Sequence, residues 1–402
     1  MRALEGVRVI ELGGLIAGPY ATSLFAQFGA EVIKIESPGE GDPLRRWRKL
    51  HSVPGGSATS LWWYSLARNK QSVTLNLKSE AAREIVRRLV KDADVLVENF
   101  RPGQLEAWGL GWEELSAINP GLIMVRISGY GQTGPYRDRP GFANIAEAMG
   151  GLRYVTGYPD RAPVRTGVSL GDTLAALYAV IGALVALHHK RGQGAGGRGQ
   201  VVDVALYEAV FAVMESLLPE YSKLGFVRER SGGSLPGIAP SNTYPCRGGS
   251  YVVIAGNSDG IFTRLMQAIG RDDLGVDPSL GSNEGRVQQI DMIDGVIADW
   301  TMGHSLGEVL TALEAADVPV GRIYTAADIA EDPHYRARGM LERVTLPDGE
   351  SMDIPGIVPK LSETPGRTEW IGPPLGAHLE SVLSSLGIDA AALAALRDEK
   401  AV

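Results

Sequence analysis

The stretch VRVIELGGLIAGPYATSLFAQFGAEVIKIE, residues 7–36, decides the fold. Val7 to Leu12 is a short apolar run, and Gly13, Gly14, Gly18 and Pro19 then supply a turn. Tyr20 to Phe28 carries helical spacing, and Glu31 to Glu36 is a second strand-like run. Strand, helix and strand in this order form one parallel unit. Working outward, Ser72 to Leu77, Asp94 to Glu98 and Leu122 to Ser128 read as further strands, with Glu80 to Lys91 an amphipathic helix between them. The alternation predicts an α/β fold: a Rossmann-like large domain whose mostly parallel sheet is covered on both faces.

Beyond Arg191 the pattern loosens through Gly192, Gly194, Gly196, Gly197 and Gly199, before a strand at Val201 to Ala205 and a helix opening near Tyr207. Gly232, Gly233, Pro236, Gly237 and Pro240 crowd the stretch from Ser231 and mark a linker. A strand at Tyr251 to Ala255 and helices at Gly260 to Ile269, Val287 to Met302 and Ser305 to Ala316 follow, as in a smaller α+β domain. Pro355 to Pro374 is again turn-rich, and His378 to Leu386 is helical. A chain of 402 residues exceeds one ordinary domain. The expected division is residues 1–220 for the N-terminal part of the large domain, 221–330 for linker and small domain, and 331–402 for a segment returning to the large domain.

With 39 basic and 47 acidic residues the formal charge is −8, and neither end carries a basic tract. Nucleic acid is therefore not an expected partner. Cys246, the single cysteine, cannot form a disulfide within its own chain, which suits a reducing cytosol. No charged leader with an apolar stretch and cleavage site opens the sequence, so a cytoplasmic protein without a signal peptide is expected. Thr173 to Leu187 is apolar over 15 residues, short of the roughly 20 that cross a bilayer, and is expected as a buried helix with no membrane partner. His188 and His189 close that helix, and His51, His304, His334 and His378 show no metal-ligand spacing, so no metal is expected.

The glycines of the Gly13–Gly18 turn stand at the first, second and sixth positions, not at the first, third and sixth of a dinucleotide fingerprint. Pro19 and Tyr20 replace the Lys and Ser or Thr of a Walker loop. A tight turn and a ligand contact both remain open there. Asp172, in Gly171-Asp172-Thr173, has two interpretations: an N-cap of the apolar helix, or a carboxylate nucleophile held ionised at a helix N-terminus. Asn99 to Gly103 and Tyr130 to Pro135 each follow a strand, where open α/β sheets bind ligands, although turns there also serve as punctuation. No Gly-x-Ser-x-Gly elbow is present.

Seven blocks in one order carry a family resemblance over nearly the whole chain: Gly18-Pro19, Gly29 to Glu36, Arg68-Asn69-Lys70, Val97 to Gly103, Gly129 to Pro135, Gly171-Asp172, and Leu375-Gly376 with His378. They resemble the class III CoA-transferases, the family of formyl-CoA transferase, carnitine CoA-transferase and the α-methylacyl-CoA racemases. Arg137 to Ala143 and Val358 to Gly366 look most like succinyl-CoA:dicarboxylate transferases acting on malate or citramalate. The resemblance implies an interlocked homodimer in which Asp172 is the nucleophile. It also implies an aspartyl-CoA intermediate, with acyl-CoA and a carboxylic acid as substrates and no tightly bound cofactor. Ile16, Ala17, Asn69, Lys70, Asn99, Phe100, Arg101 and Arg139 are implied to contact CoA, Trp47 to line the active site, and Gly232 and Gly233 to form a glycine loop over it. A guanidinium suits the free carboxylate of a dicarboxylate acceptor, and Arg45, Arg46, Arg48 and Arg165 are available, with Arg46 or Arg165 expected.

Two departures from the family pattern matter. Formyl-CoA transferase has a basic residue where Ser37 stands. The racemases place a histidine in a stretch that here reads Gly141-Phe142-Ala143, and phenylalanine cannot exchange a proton. Racemisation and non-catalytic CoA binding are thus the alternatives to transfer, the first disfavoured by Phe142 and the second by the presence of Asp172.

Overall fold

The structure, a computed structural model, describes residues 1–52, 58–194 and 196–402. The elements that build its main sheet and cover it include, in chain order, β1 (Arg8–Glu11), α1 (Ala17–Gln27), β2 (Glu31–Glu36), β3 (Lys70–Thr74), α2 (Glu80–Val90), β4 (Val95–Glu98), β5 (Ile123–Ser128), α3 (Ala143–Met149), α4 (Leu170–Gly192) and β6 (Val201–Ala205). The strands form one six-stranded sheet in the order β3-β2-β1-β4-β5-β6, with every neighbouring pair parallel.

Alternate residues of these strands feed two separate cores. Ile10, Ile33, Leu96 and Met124 face α2 and the C-terminal helices Leu379–Ser385 and Ala390–Asp398. Val9, Val32, Val97 and Val125 face α1 and α4. Burial on both sides explains why the strands read as nearly unbroken Val/Ile/Leu runs. α2 places Ala82, Ile85, Val86 and Leu89 inward at helical spacing, while Arg83 and Arg87 pair with Glu80 on the solvent side at 2.5 and 2.8 Å.

Three boundaries differ from expectation for local reasons. α1 begins at Ala17 rather than Tyr20, because Pro19 lies in the first turn where its missing N–H is no loss, and the Tyr20 N–H reaches Ile16 O at 2.7 Å. β3 starts at Lys70 rather than Ser72, since its register with β2 pairs Val32 with Lys70. α4 is 23 residues long, and its expected burial holds on one face only. Ala175, Ala176, Ala179, Ala183 and Ala186 form a small-residue stripe in the core, while Leu177, Ile181, Leu184 and Val185 are exposed. Length and composition alone would let α4 cross a membrane; the packed alanine stripe makes it a scaffold helix.

The chain forms two compact units, Met1–Arg153 with Thr166–Ser222 and Arg336–Val402, and Tyr154–Arg165 with Lys223–Tyr335. The second unit has a three-stranded antiparallel sheet of Ser241–Pro245, Tyr251–Ala255 and Val320–Arg322, with helices Asp259–Ala268, Ile290–Met302 and Leu306–Ala315 closing over Ile254, Phe262, Leu265, Ile297 and Leu313. The helix expected from Val287 starts at Ile290, after a separate turn of helix at Asn283–Gln288.

Inside the first unit lies a buried ionic network. Lys34 Nζ sits 2.6 Å from Glu11 Oε1 and 2.6 Å from Asp42 Oδ2, and Lys70 Nζ sits 2.8 Å from Glu11 Oε2. Removing one partner strands the opposite charges without water, so Lys34→Met is expected to destabilise the fold by about 3–5 kcal/mol. Urea unfolding at neutral pH checks this, and a loss below about 1 kcal/mol would contradict it.

Candidate active site

The strand order reverses direction between β1 and β4, and ligands of such sheets bind beyond the strand ends at that point. The turn leaving β1 is held there by two side chains. Asn99, just past β4, accepts from the Gly14 N–H through Oδ1 at 2.8 Å and donates to Gly14 O through Nδ2 at 2.9 Å. Asp42 Oδ1 accepts from the Leu15 N–H at 2.9 Å. A Cβ on Gly13 would lie 2.5 Å from Asn99 Oδ1, so a glycine is required there by packing against Asn99. Leu15 takes a left-handed φ of 68°, an uncommon conformation for a leucine.

α4 brings Asp172 to the same place. The helix opens at Leu170, so the cap position belongs to Ser169 and Asp172 is its third residue; the N-cap interpretation of Asp172 does not survive. An acid in the first turn is favoured by the helix dipole. Asp172 is half-buried and lines a cavity of about 410 Å³. Ile16, Ala17, Asn99, Phe100, Arg101 and Arg139 line it too, so these expected residues meet Asp172 in space.

Asn69 and Lys70 do not line it. Asn69 Nδ2 donates to Arg367 O at 2.6 Å and its Oδ1 accepts from the Glu369 N–H at 2.7 Å. Lys70 is buried, with Nζ on Glu11, Pro19 O and Thr22 Oγ1. Both side chains are committed to holding the fold. Arg46 and Trp47 are exposed and lie off the cavity wall, the Arg46 guanidinium donating to Glu40 O. Arg45, the neighbouring arginine, is buried on Glu36 at 2.7 Å and stacks over Trp63. Arg165, Gly232 and Gly233 belong to the second unit, where the Gly232 N–H donates to Gly157 O at 2.9 Å.

Other lining residues had no expected contact role. Arg137, expected only within the Arg137 to Ala143 block, lines the main cavity, and Phe142, expected at the place of the racemase histidine, is 71% exposed at its edge. Sharing Gly14, Pro43 and Phe100 with it is a second cleft of about 190 Å³, lined by Ser37, Leu75, Asn76, Leu77 and Lys78. Reading Ser72 to Leu77 as strand hid that segment; its position past the end of β3 was the available signal. Away from both cavities, His51 Nε2 meets Asp348 Oδ2 at 2.6 Å, with Glu350 beside them, a grouping from distant segments that sequence spacing cannot reveal.

Three guanidinium groups, Arg101, Arg137 and Arg139, thus share a cavity with one carboxylate, and Arg139 stacks on Tyr136 at 3.7 Å. Behind the Asn99–Arg101 loop, Glu98 accepts from the Phe100 N–H at 2.7 Å and pairs with Arg126 at 2.7 Å. Burial pushes Glu98 up to about 7 against the pull of Arg126. The arrangement offers a carboxylate at a helix N-terminus and cations able to hold a polyanionic substrate.

Residues 4–379 match the family model of CoA-transferase family III. The chain belongs to CoA-transferase family III, and it is an enzyme of the CoA-transferase class. It is 50% identical to succinyl-CoA–D-citramalate CoA-transferase of Chloroflexus aurantiacus over 96% of this chain and 94% of that protein. It is 42% identical to the alpha subunit of succinyl-CoA–L-malate CoA-transferase of the same organism, over 99% and 92%. Among solved structures, a CAIB/BAIF family protein from Brucella suis superposes with a TM-score of 0.84 at 34% identity, covering 96% of this chain and 99% of that one.

Because Glu98 titrates higher in the folded chain than in the unfolded one, the folded state binds the extra proton between about 4.5 and 7. Its contribution to stability is present at low pH and is lost as pH rises through about 7. Glu98→Gln, which keeps an acceptor for Phe100, should therefore gain stability relative to the parent chain between pH 5 and pH 8. Urea midpoints at the two pH values measure this, and an unchanged difference would contradict it.

Proposed function

We propose that this chain transfers coenzyme A from succinyl-CoA to a hydroxydicarboxylic acid of the malate or citramalate kind, with Asp172 as covalent carrier. The observation that carries this is Asp172 itself, a carboxylate on the first turn of α4 that lines a cavity beside three arginines. The names of the similar Chloroflexus transferases supply the substrate class.

In this mechanism Asp172 attacks the donor thioester, giving a mixed anhydride and CoA thiolate. The thiolate then attacks the aspartyl carbonyl, so that succinate leaves and aspartyl-CoA remains. The acceptor carboxylate attacks that thioester, forming a second anhydride and freeing the thiolate again. Attack of the thiolate on the acceptor's carbonyl yields the new acyl-CoA and restores Asp172. Acyl energy is conserved only if water stays out, and the positive dipole end of α4 is suited to the negative charge that develops. Phe142 offers no proton exchange at the α-carbon, which favours transfer over racemisation.

CoA is long and polyanionic. Its thioester end belongs in this reading to the Asp172 cavity and its phosphorylated nucleotide end to the adjoining cleft, with Lys78 in the cleft and Arg101 and Arg139 on the cavity side as phosphate partners. Arg46, Trp47 and Arg165 are proposed contacts of the acceptor, and Gly232 and Gly233 a covering loop, on the family resemblance alone. The exposed apolar face of α4 supports a homodimer, because Ile181 and Val185 would otherwise stay in water, and light scattering at micromolar concentration tests this directly. A cytoplasmic location completes the proposal.

Asp172→Asn keeps the side chain's size and removes the nucleophile. Transfer from succinyl-CoA to malate or citramalate should fall at least about a thousandfold while the fold persists. Substantial activity of that variant, without deamidation, would overturn the mechanism, and preference for a monocarboxylate acceptor would overturn the substrate class.

A further inference from the structure

The opening turn of α4 lacks the cap that such turns ordinarily receive from their own sequence. Its first N–H groups have no intrahelical acceptor, and the side chain of Ser169, in the cap position, makes no capping bond. The Gly171 N–H instead donates to Glu147 Oε1 at 3.3 Å. Glu147 projects from α3 with its side chain only 1% exposed, and its other oxygen lies 3.3 Å from Arg153 Nη2. Gly171 also seats the helix closely on α3, because a Cβ there would stand 3.2 Å from Ala143 O and 3.4 Å from Glu147 Cγ. A buried, ion-paired carboxylate from a neighbouring helix thus holds the residue immediately before Asp172.

We infer that Glu147 is the positioning residue that keeps Asp172 in place through the reaction cycle; the inference rests on Asp172 being the covalent carrier. Asp172 passes from carboxylate to anhydride to thioester, and only the first of these carries the anion that the helix N-terminus attracts. An anchor depending on that charge would loosen once the acyl bond forms. Glu147 takes no part in the bond changes, so its grip on Gly171 is the same in every state. Displacement of a reacting group by about 1 Å costs on the order of a hundredfold in rate, which sets the scale of what this contact protects.

The test is Glu147→Ala beside Glu147→Gln, each in the full chain, with kcat and KM for succinyl-CoA and the rate at which CoA appears on Asp172 by intact mass and peptide mapping. Glu147→Ala should lower kcat and the rate of adduct formation roughly ten- to a hundredfold, with KM for succinyl-CoA changed less than about threefold. Glu147→Gln keeps an oxygen acceptor for the Gly171 N–H and should recover kcat to within about fivefold of the parent. Parent-like adduct formation in Glu147→Ala would overturn the inference and leave the aspartyl mechanism standing. An equal loss in Glu147→Gln would also overturn it, since the carboxylate would then matter for more than holding Gly171. Failure of the parent chain to form any Asp172 adduct would overturn the mechanism itself, and the inference with it. Should Glu147→Ala fold poorly by thermal melting, the Gln variant alone decides through its predicted recovery.

Discussion

A lysine ammonium buried between two carboxylates governs the part of the molecule where chemistry is proposed. Lys34, on β2, is surrounded by Glu11 from β1 and Asp42 from the loop beyond β2. Burial by itself would release its proton, and the carboxylates of Asp42, Glu11 and Glu36 outweigh that, holding Lys34 above the ordinary lysine range. Burial pushes Lys70 down to about 8 against the pull of Glu11, with the charge of Lys34 adding to the fall. Asp42, fixed in this way, turns Oδ1 to the Leu15 N–H and stabilises a left-handed leucine at the head of α1. Such backbone costs on the order of 1–3 kcal/mol and persists only where its surroundings over-determine it. Glu36 extends the same network, accepting from the Asp42 N–H and pairing with Arg45.

From that constraint the cavity follows. With Asp42 fixing the β1 turn on one side and Asn99 clamped to Gly14 on the other, the loops leaving β1 and β4 line the cavity at the point where strand order reverses. α4 crosses the same face on an alanine stripe that lets its backbone approach the sheet, and its N-terminus arrives with Asp172 in the first turn. The positive end of a helix, two tight turns and three guanidinium groups then surround one carboxylate. That environment suits a polyanionic thioester and the developing charge of acyl transfer.

Much of the fold was legible because its signals are local. The residues 7–36 pattern and the α2 periodicity follow from apolar spacing that one stretch of chain reveals by itself. Asp172, Asn99 and Arg101 were legible as positions at element ends. Direction was not. Asn69 and Lys70 were expected at the CoA site, yet β3 begins at Lys70 and turns its ammonium into the sheet, and Asn69 takes a φ of 60° that points it at the segment around Arg367. A lysine and two glutamates inside otherwise apolar strands, Glu11, Lys34 and Glu36, were the available sign of a buried network. Arg137 and Glu147 matter through neighbours distant in sequence or on a short helix with weak periodicity, so no spacing announced them.

Oxygen bookkeeping tests the central claim most directly. If the acceptor carboxylate attacks an aspartyl-CoA thioester and the thiolate then attacks the acceptor's own carbonyl, each turnover leaves one acceptor oxygen on Asp172. The enzyme would be turned over with succinyl-CoA and malate or citramalate carrying oxygen-18 in its carboxylates, then digested and its peptides weighed. The account predicts heavy oxygen in the Asp172 peptide, rising with turnover and absent when succinyl-CoA is omitted. Product formed with no heavy oxygen on Asp172, or with label on another carboxylate, would contradict it.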